Sequence, residues 1–274
     1  MAGRLTVCPT PIGNLEDLSP RARRALVETD IVACEDTRRT GLLYERLEIE
    51  HPRLVSFHDA NEAERVPGLV QQIERGARVT LTSDAGTPVV SDPGYRLVRA
   101  CADRGLEVEV LPGPSAIITA LVASALPVDR WRFEGFLPRR GGELERILAA
   151  PETVVAFESP RRLPDSLAAL AALAPDREAA VCRELTKLHE EIARGTLGEL
   201  ARRFRGEARG EIVVVIAPAQ RAPDQVDLAF AVDALRRLVQ AGARPRAAAG
   251  VVAALTGTRA NQLYSELTGR APRE

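Results

Sequence analysis

Short aliphatic runs alternate with amphipathic stretches through the first half of the chain. Leu5-Thr6-Val7-Cys8 and Ile31-Val32-Ala33-Cys34 are too short for helices and rich in branched side chains, so they predict strands. Ser19-Pro20 predicts a helix start between them, with serine as N-cap and proline at the first helical position. Asn61 with Glu64 three residues later resembles a capping box and predicts a second helix. Residues 79–82 and 108–111 predict further strands, each followed by a loop bearing glycine and proline and then a helix. Such alternation builds an α/β sheet that presents its loops, and hence its ligand, at the carboxyl edge of the strands.

After Pro127 the pattern changes. Residues 131–136, 153–157, 179–182 and 212–217 predict strands separated by helices and hairpin-like turns, a second α/β domain. Residues 220–227 are polar and contain Pro223, as a linker would, and 228–241, 245–255 and 259–268 predict three helices. The fold class is therefore α/β, with domains at 1–118 and 119–220 and a small helical tail at 224–274. The last two helices, meeting at Thr256-Gly257, resemble a helix-turn-helix.

Length supports this division, because 274 residues suffice for two domains with their own cores. With 45% hydrophobic and 27% charged residues the chain is globular, and with 4% aromatic residues its core is aliphatic. A net charge of −1 excludes binding a polyanion by overall charge, so a nucleic-acid partner must meet local arginine clusters. Cys8, Cys34, Cys101 and Cys182 stand apart, and His51, His58 and His189 have no partner at ligand spacing. Neither disulfides nor a metal site is expected, which fits a cytoplasmic protein. The chain opens without a leader-like pattern, and its longest apolar stretch, 117–126, holds about ten residues where a membrane helix needs about twenty. No membrane association is expected.

Three loops carry candidate chemistry. Pro9-Thr10-Pro11-Ile12-Gly13-Asn14 follows the first strand, where glycine permits close approach and the next helix offers free N–H groups. It matches neither the dinucleotide-binding nor the P-loop glycine pattern. Ser83-Asp84-Ala85-Gly86-Thr87-Pro88, continuing to Ser91-Asp92-Pro93-Gly94, puts small residues and carboxylates at the end of another strand. Leu111-Pro112-Gly113-Pro114-Ser115-Ala116 opens a further helix with an N-cap serine. Each alone reads as an ordinary turn; three at one sheet edge predict a binding pocket.

These strings, with Glu35-Asp36-Thr37-Arg38, Gly135-Phe136-Leu137-Pro138 and Arg183-Glu184-Leu185-Thr186-Lys187, resemble in order the tetrapyrrole methylase-like, or class III, methyltransferases. Within that class they resemble the branch that modifies small-subunit ribosomal RNA. The resemblance runs from about residue 5 to residue 217. It implies a homodimer that transfers the methyl group of S-adenosylmethionine to the 2′-hydroxyl of a cytidine in the decoding centre of 16S ribosomal RNA. It further implies a cofactor held between the two α/β domains, against Pro11, Ser83, Asp84, Ala85, Thr87, Ser115 and Ala116 and, from the second domain, Phe157 and Leu185.

Methyl transfer from a sulfonium needs alignment and a path for the hydroxyl proton. Of 37 basic residues only Lys187 is lysine, the one cation that desolvation can deprotonate. Lys187 is thus a candidate base or phosphate positioner, and Glu184 its rival. Arg38, His58, Arg139 and Arg140 are candidates for RNA contact, the last two on a glycine-flanked loop. The alternatives are a tetrapyrrole methylase of the same fold and a catalytically silent RNA-binding module.

Overall fold

The computed structural model describes residues 3–139, 141–206, 208–219 and 228–268. It divides into two compact units, Met1–Ala217 and Pro218–Glu274.

The first unit opens with a five-stranded, wholly parallel sheet: β1 (Arg4–Val7), β2 (Ile31–Cys34), β3 (Arg53–Ser56), β4 (Arg78–Thr82) and β5 (Glu107–Val110), in the order β3-β2-β4-β1-β5. Helices α1 (Pro20–Glu28), α2 (Thr37–Arg46), α3 (Glu62–Glu74) and α4 (Tyr95–Asp103) form the crossovers. Because side chains alternate across a strand, Ile31 and Ala33 join Leu5, Val7, Leu81 and α3 and α4 in one core, while Val32 and Cys34 meet Leu26 of α1 and Tyr44 of α2 in another. Burial on both faces explains the unbroken apolar run of β2. Ser19 caps α1 as the pattern predicts, its hydroxyl accepting from Ala22 N at 3.1 Å.

The second sheet has the order β6-β7-β10-β8-β9, from β6 (Trp131–Phe136), β7 (Thr153–Glu158), β8 (Glu178–Arg183), β9 (Glu191–Thr196) and β10 (Ile212–Ile216). β6 and β7 run parallel and the remaining pairs antiparallel. Helices α6 (Gly141–Leu148), α7 (Leu163–Leu173) and α8 (Leu197–Arg203) cover one face through Leu144, Ile147, Leu163, Leu167, Leu197 and Leu200. The other face, with Val155, Ala180, Val213 and Val215, receives Ile117, Ala120 and Leu121 of α5 (Ala116–Ser124), together with Ile12 from the first loop. α5 and Ile12, carried on segments that leave the first sheet, therefore pack on the second.

Strand bounds fall within one or two residues of the pattern, and two strands escape it. β3 offers only Leu54 and Val55 between polar residues, and β9 only Ile192 and Ala193 among Glu191, Arg194 and Gly195. Both are edge strands. The capping box at Asn61 is corrected: its side chain makes no cap hydrogen bond to α3. Asn61 Oδ1 instead accepts from His58 N at 2.8 Å, and its Nδ2 donates to Ser56 O at 3.1 Å.

The second unit is three helices, α9 (Leu228–Gln240), α10 (Pro245–Thr256) and α11 (Ala260–Thr268), around Ala231, Leu235, Ala249, Val252 and Leu263. Gly257, at φ 64°, ends α10 in the left-handed conformation.

Candidate cofactor cleft and substrate hollow

The three small-residue loops gather at one edge of the parallel sheet and are laced together there. Thr10 and Gly86 exchange backbone hydrogen bonds of 2.9 and 3.0 Å, Thr10 Oγ1 donates to Ser83 O at 3.1 Å, and Thr87 Oγ1 donates to Pro114 O at 3.1 Å. Ser115 caps α5, accepting from Ile118 N at 3.5 Å. The first loop also reaches the second sheet. Asn14 N donates to Thr186 Oγ1 at 3.0 Å, and Gly13 lies so close to Lys187 and Thr186 that any side chain there would collide with them.

Between the loops and the second sheet lies a cleft of about 820 Å³, within the range of small-molecule sites. Asp84, Ala85, Thr87, Ser115, Ala116, Phe157 and Leu185 line it. Pro11 and Ser83 do not; each precedes a residue that does, Ile12 and Asp84. Ser83 is buried, its hydroxyl 3.3 and 3.4 Å from the carbonyls of Ala85 and Gly86. Sequence reasoning misses Trp131 of the aromatic wall and the acid Glu211. Phe157 meets Phe133 and Phe136 edge-on at 5.1 and 5.8 Å, and Trp131 completes this side. Glu35, Asp92 and Glu211 line the cleft as well. Among the described residues no group of three or more His, Cys, Asp or Glu side chains forms a metal site.

A polar hollow of about 540 Å³ adjoins the cleft, sharing Glu35, Arg39 and Asp84 with it and adding Asp36, Arg38 and His58. Asp84 accepts from Asp36 N at 3.2 Å and pairs with Arg39 at 3.1 Å. Burial, then the neighbouring Asp84 and Asp59, raises the Glu35 carboxyl above its ordinary range. Asp92 is pushed up to about 6, by burial foremost and by Glu35, Asp84 and Asp59, against a lowering hydrogen bond with Ser83. Arg38 stands 89% exposed at the mouth and pairs with Asp36 at 2.9 Å, whose carboxyl its hydrogen bonds hold at about 2. The His58 ring lies 3.2 Å from Asn61 Nδ2.

Lys187 and Glu184 sit beside the cleft and not on its wall. The ammonium is bound by Glu184 at 2.9 Å and by the cleft residue Glu211 at 3.0 Å. Glu184 Oε1 also accepts from Glu211 N at 2.9 Å. The turn is strained, with Glu184 and Thr186 at φ 51° and 66°. Burial disfavours the ammonium, but the hydrogen bonds to Glu184 and Glu211 outweigh it and raise Lys187 above its usual value. Glu184 is lowered, by the Glu211 backbone first and Lys187 second. A protonated lysine held by two carboxylates is a poor base, and this arrangement favours the positioning role of Lys187 over the general-base one. Arg139 is exposed two residues beyond Leu137 of the second core, and Arg140 lies outside the described residues. Arg161 and Arg209, each exposed and next to a cleft residue, Pro160 and Gly210, have no counterpart in the sequence reading, because nothing local marks them as neighbours of the cleft.

The model of the tetrapyrrole (corrin/porphyrin) methylases matches residues 4–201. The chain is 48% identical over 270 residues to ribosomal RNA small subunit methyltransferase I of Mycobacterium bovis, covering 96% of this chain and 94% of the relative. It is 44% identical to the protein of the same name from Mesorhizobium japonicum, covering 96% and 90%. Among solved structures, uroporphyrin-III C-methyltransferase from Thermus thermophilus, crystallised with S-adenosylhomocysteine, shares the fold at TM-score 0.55 and 21% identity, over 78% of this chain and 97% of that one.

Proposed function

Since the chain belongs to the tetrapyrrole methylases and, within them, to the ribosomal RNA small subunit methyltransferase I family, we propose that it methylates the 2′-hydroxyl of a cytidine in the decoding centre of 16S ribosomal RNA, as a cytoplasmic homodimer using S-adenosylmethionine. The observation that carries this reading is the junction of two cavities. An apolar, small-residue cleft sized for a nucleoside cofactor opens directly into a polar hollow rimmed by Arg38 and Arg39.

The chemistry of the wall suits the cofactor. Ala85, Gly86, Ser115 and Ala116 let a ligand lie against backbone, Phe157 and Trp131 offer apolar faces to an adenine, and carboxylates at the junction suit a ligand that carries positive charge. When bound, S-adenosylmethionine supplies an already activated methyl group, so the chain's own task is to align the hydroxyl, exclude water and take up a proton. Arg38 and Arg39 offer forked donors to phosphates beside the target ribose, with Arg139 and Arg140 as a further contact. His58 faces the same hollow and presents a ring to the incoming nucleotide.

The homodimer reading is supported by exposed apolar side chains. Ile118 and Val122, one turn apart on α5, are 47% and 72% exposed, and Trp131 and Phe136 stand open nearby on the cleft wall. A second copy would cover this face. Among the described residues no helix is long and apolar enough to cross a membrane.

Small subunits from cells lacking the protein, treated in vitro with S-adenosylmethionine, are expected to gain one 2′-O-methylcytidine, located by reverse transcription or mass spectrometry. Methylation of a porphyrinogen in place of RNA overturns the reading. S-adenosylhomocysteine at about 100 times its Kd should stabilise the fold by about 2.7 kcal/mol, and an unmoved melting curve excludes the enzyme.

A further inference from the structure

Methyl transfer has to occur where the cofactor cleft meets the substrate hollow, and three side chains line both cavities: Glu35, Arg39 and Asp84. Two of them are committed, since Arg39 pairs with Asp84 at 3.1 Å and Asp84 also accepts from Asp36 N at 3.2 Å. Glu35 is left, and among the described residues no hydrogen bond or ion pair holds its carboxylate. The other proton acceptors of the hollow are occupied. Asp36 caps α2, accepting from Arg38 N at 2.9 Å, and pairs with the Arg38 guanidinium at the same distance. The His58 ring meets Asn61 Nδ2, a donor, at 3.2 Å through Nε2, which takes up its accepting nitrogen. Asp92 and Glu211 line the cleft and not the hollow.

The backbone fixes Glu35 from both sides. Cys34 ends β2, and its carbonyl accepts from Phe57 N at 2.8 Å. Asp36 is the N-cap of α2 and donates its own N–H to Asp84. Glu35 is the single residue between the last strand position and the helix cap, at the carboxyl edge of a parallel sheet, where such sheets place their ligands. Holding a reacting group in this way is what converts an ordinary carboxylate into an aligned one. Its side chain is half-buried, so a proton taken up there has a way out to solvent.

We propose that Glu35 is the general base of the reaction, receiving the proton of the attacking ribose hydroxyl at the junction of the two cavities; the inference rests on the methyltransferase reading above. As the hydroxyl oxygen bonds to the methyl carbon, the carbon–sulfur bond breaks with its electron pair to sulfur, and the hydroxyl proton passes to the Glu35 carboxylate. The neutral carboxyl later returns that proton to solvent. The groups around Glu35 suit the role. Burial, then Asp84 and Asp59, raise its carboxyl against the opposing pull of Arg39 and His58, and Asp92 is a further acid coupled to it, so it accepts a proton more readily than a free glutamate.

The test compares Glu35→Gln and Glu35→Asp with the wild-type full chain. It measures single-turnover methylation of small subunits from pH 5 to 9, retention of subunits on filters, and calorimetric binding of S-adenosylmethionine and S-adenosylhomocysteine. Glu35→Gln should slow methylation about 100-fold or more while subunits and S-adenosylhomocysteine bind within threefold of wild type. A base must be ionised to accept, so the wild-type rate should rise with pH along a limb above the ordinary carboxylate range, and Glu35→Gln should lack that limb. Glu35→Asp should recover part of the rate. The two nucleosides report on Glu35 without turnover. A carboxylate beside the reacting methyl favours the cationic sulfonium over the neutral thioether, so Glu35→Gln should lower the ratio of their affinities about 3- to 10-fold. Methylation by Glu35→Gln within threefold of wild type, a persisting pH limb, an unchanged affinity ratio, or a rate loss matched by lost affinity for subunit or S-adenosylhomocysteine each overturns the assignment. A wild-type protein that binds both nucleosides but methylates no RNA rejects the substrate reading, and the base falls with it.

Discussion

The carboxylate of Glu62 lies in hydrogen-bond contact with the backbone of Gly94, 32 residues further on, at 3.1 Å. Glu62 is 7% exposed, and it holds the 88–94 turn to α3 without touching the cleft itself. Removing it leaves two amide groups, those of Gly94 and Arg96, without their acceptor. Glu62→Ala should cost about 2 kcal/mol of stability, read by urea titration, and should weaken S-adenosylhomocysteine binding as the turn loosens. Glu62→Gln keeps an acceptor oxygen and should lose less on both counts.

Gly13 is the point at which the first loop meets the strained turn at residues 184–187. A methyl group there meets Lys187 and Thr186, and neither yields easily, since Thr186 accepts from Asn14 N at 3.0 Å and Lys187 is fixed by two carboxylates. Gly13→Ala should therefore destabilise the fold by about 1–3 kcal/mol and reduce cofactor affinity at least tenfold. A variant that melts and binds as wild type would show that the loop and the turn move independently.

Lys187 offers a test of sign. Its value is raised, so it stays protonated through neutral and mildly alkaline pH, and a rate profile governed by its deprotonation would climb only in strongly alkaline solution. The expected profile carries no such alkaline limb. Lys187→Met leaves Glu184 and Glu211 facing each other unneutralised, which should lower kcat about 10- to 100-fold while cofactor affinity changes only a few-fold. Lys187→Arg, which keeps the charge, should recover part of the activity. Full recovery of Lys187→Met by raising the pH would reinstate the lysine as base.

Much of this molecule is legible in the pattern of the chain, and what is missed has a physical reason. β2 and β10 are buried on both faces and therefore read as unbroken apolar runs. β3 and β9, on sheet edges, bury little and carry charge, so nothing local separates them from loop. The small-residue loops announce themselves through glycine and proline, because close backbone approach demands those residues. Asp92 lies in one of these loops, but its environment is not legible there, since Ser83 comes from β4's end, Glu35 from β2's end and the tie of the turn to Glu62 from α3, groups that only the fold brings together. Asn61 shows the converse. A residue of the right type at the right spacing for a cap serves the Ser56–His58 turn instead, because that turn leaves His58 N and Ser56 O needing partners.

The arginines at the hollow separate a phosphate contact from a structural one. Arg39 pairs with Asp84 on the cleft wall, whereas Arg38, 89% exposed, pairs, among the described residues, with the half-buried cap of its own helix, Asp36. A chain with net charge −1 gains no RNA affinity from its overall field, so each phosphate contact must show in the salt dependence. Arg38→Ala should weaken binding to small subunits about 3- to 10-fold at low salt and less at high salt, lowering the slope of log K against log salt by about one contact's worth. Arg39→Ala should do this and also disturb Asp84, so cofactor affinity should fall with it. Equal loss at every salt concentration for Arg38→Ala would mean that it acts through shape or folding, and the hollow would then need another route for RNA to enter.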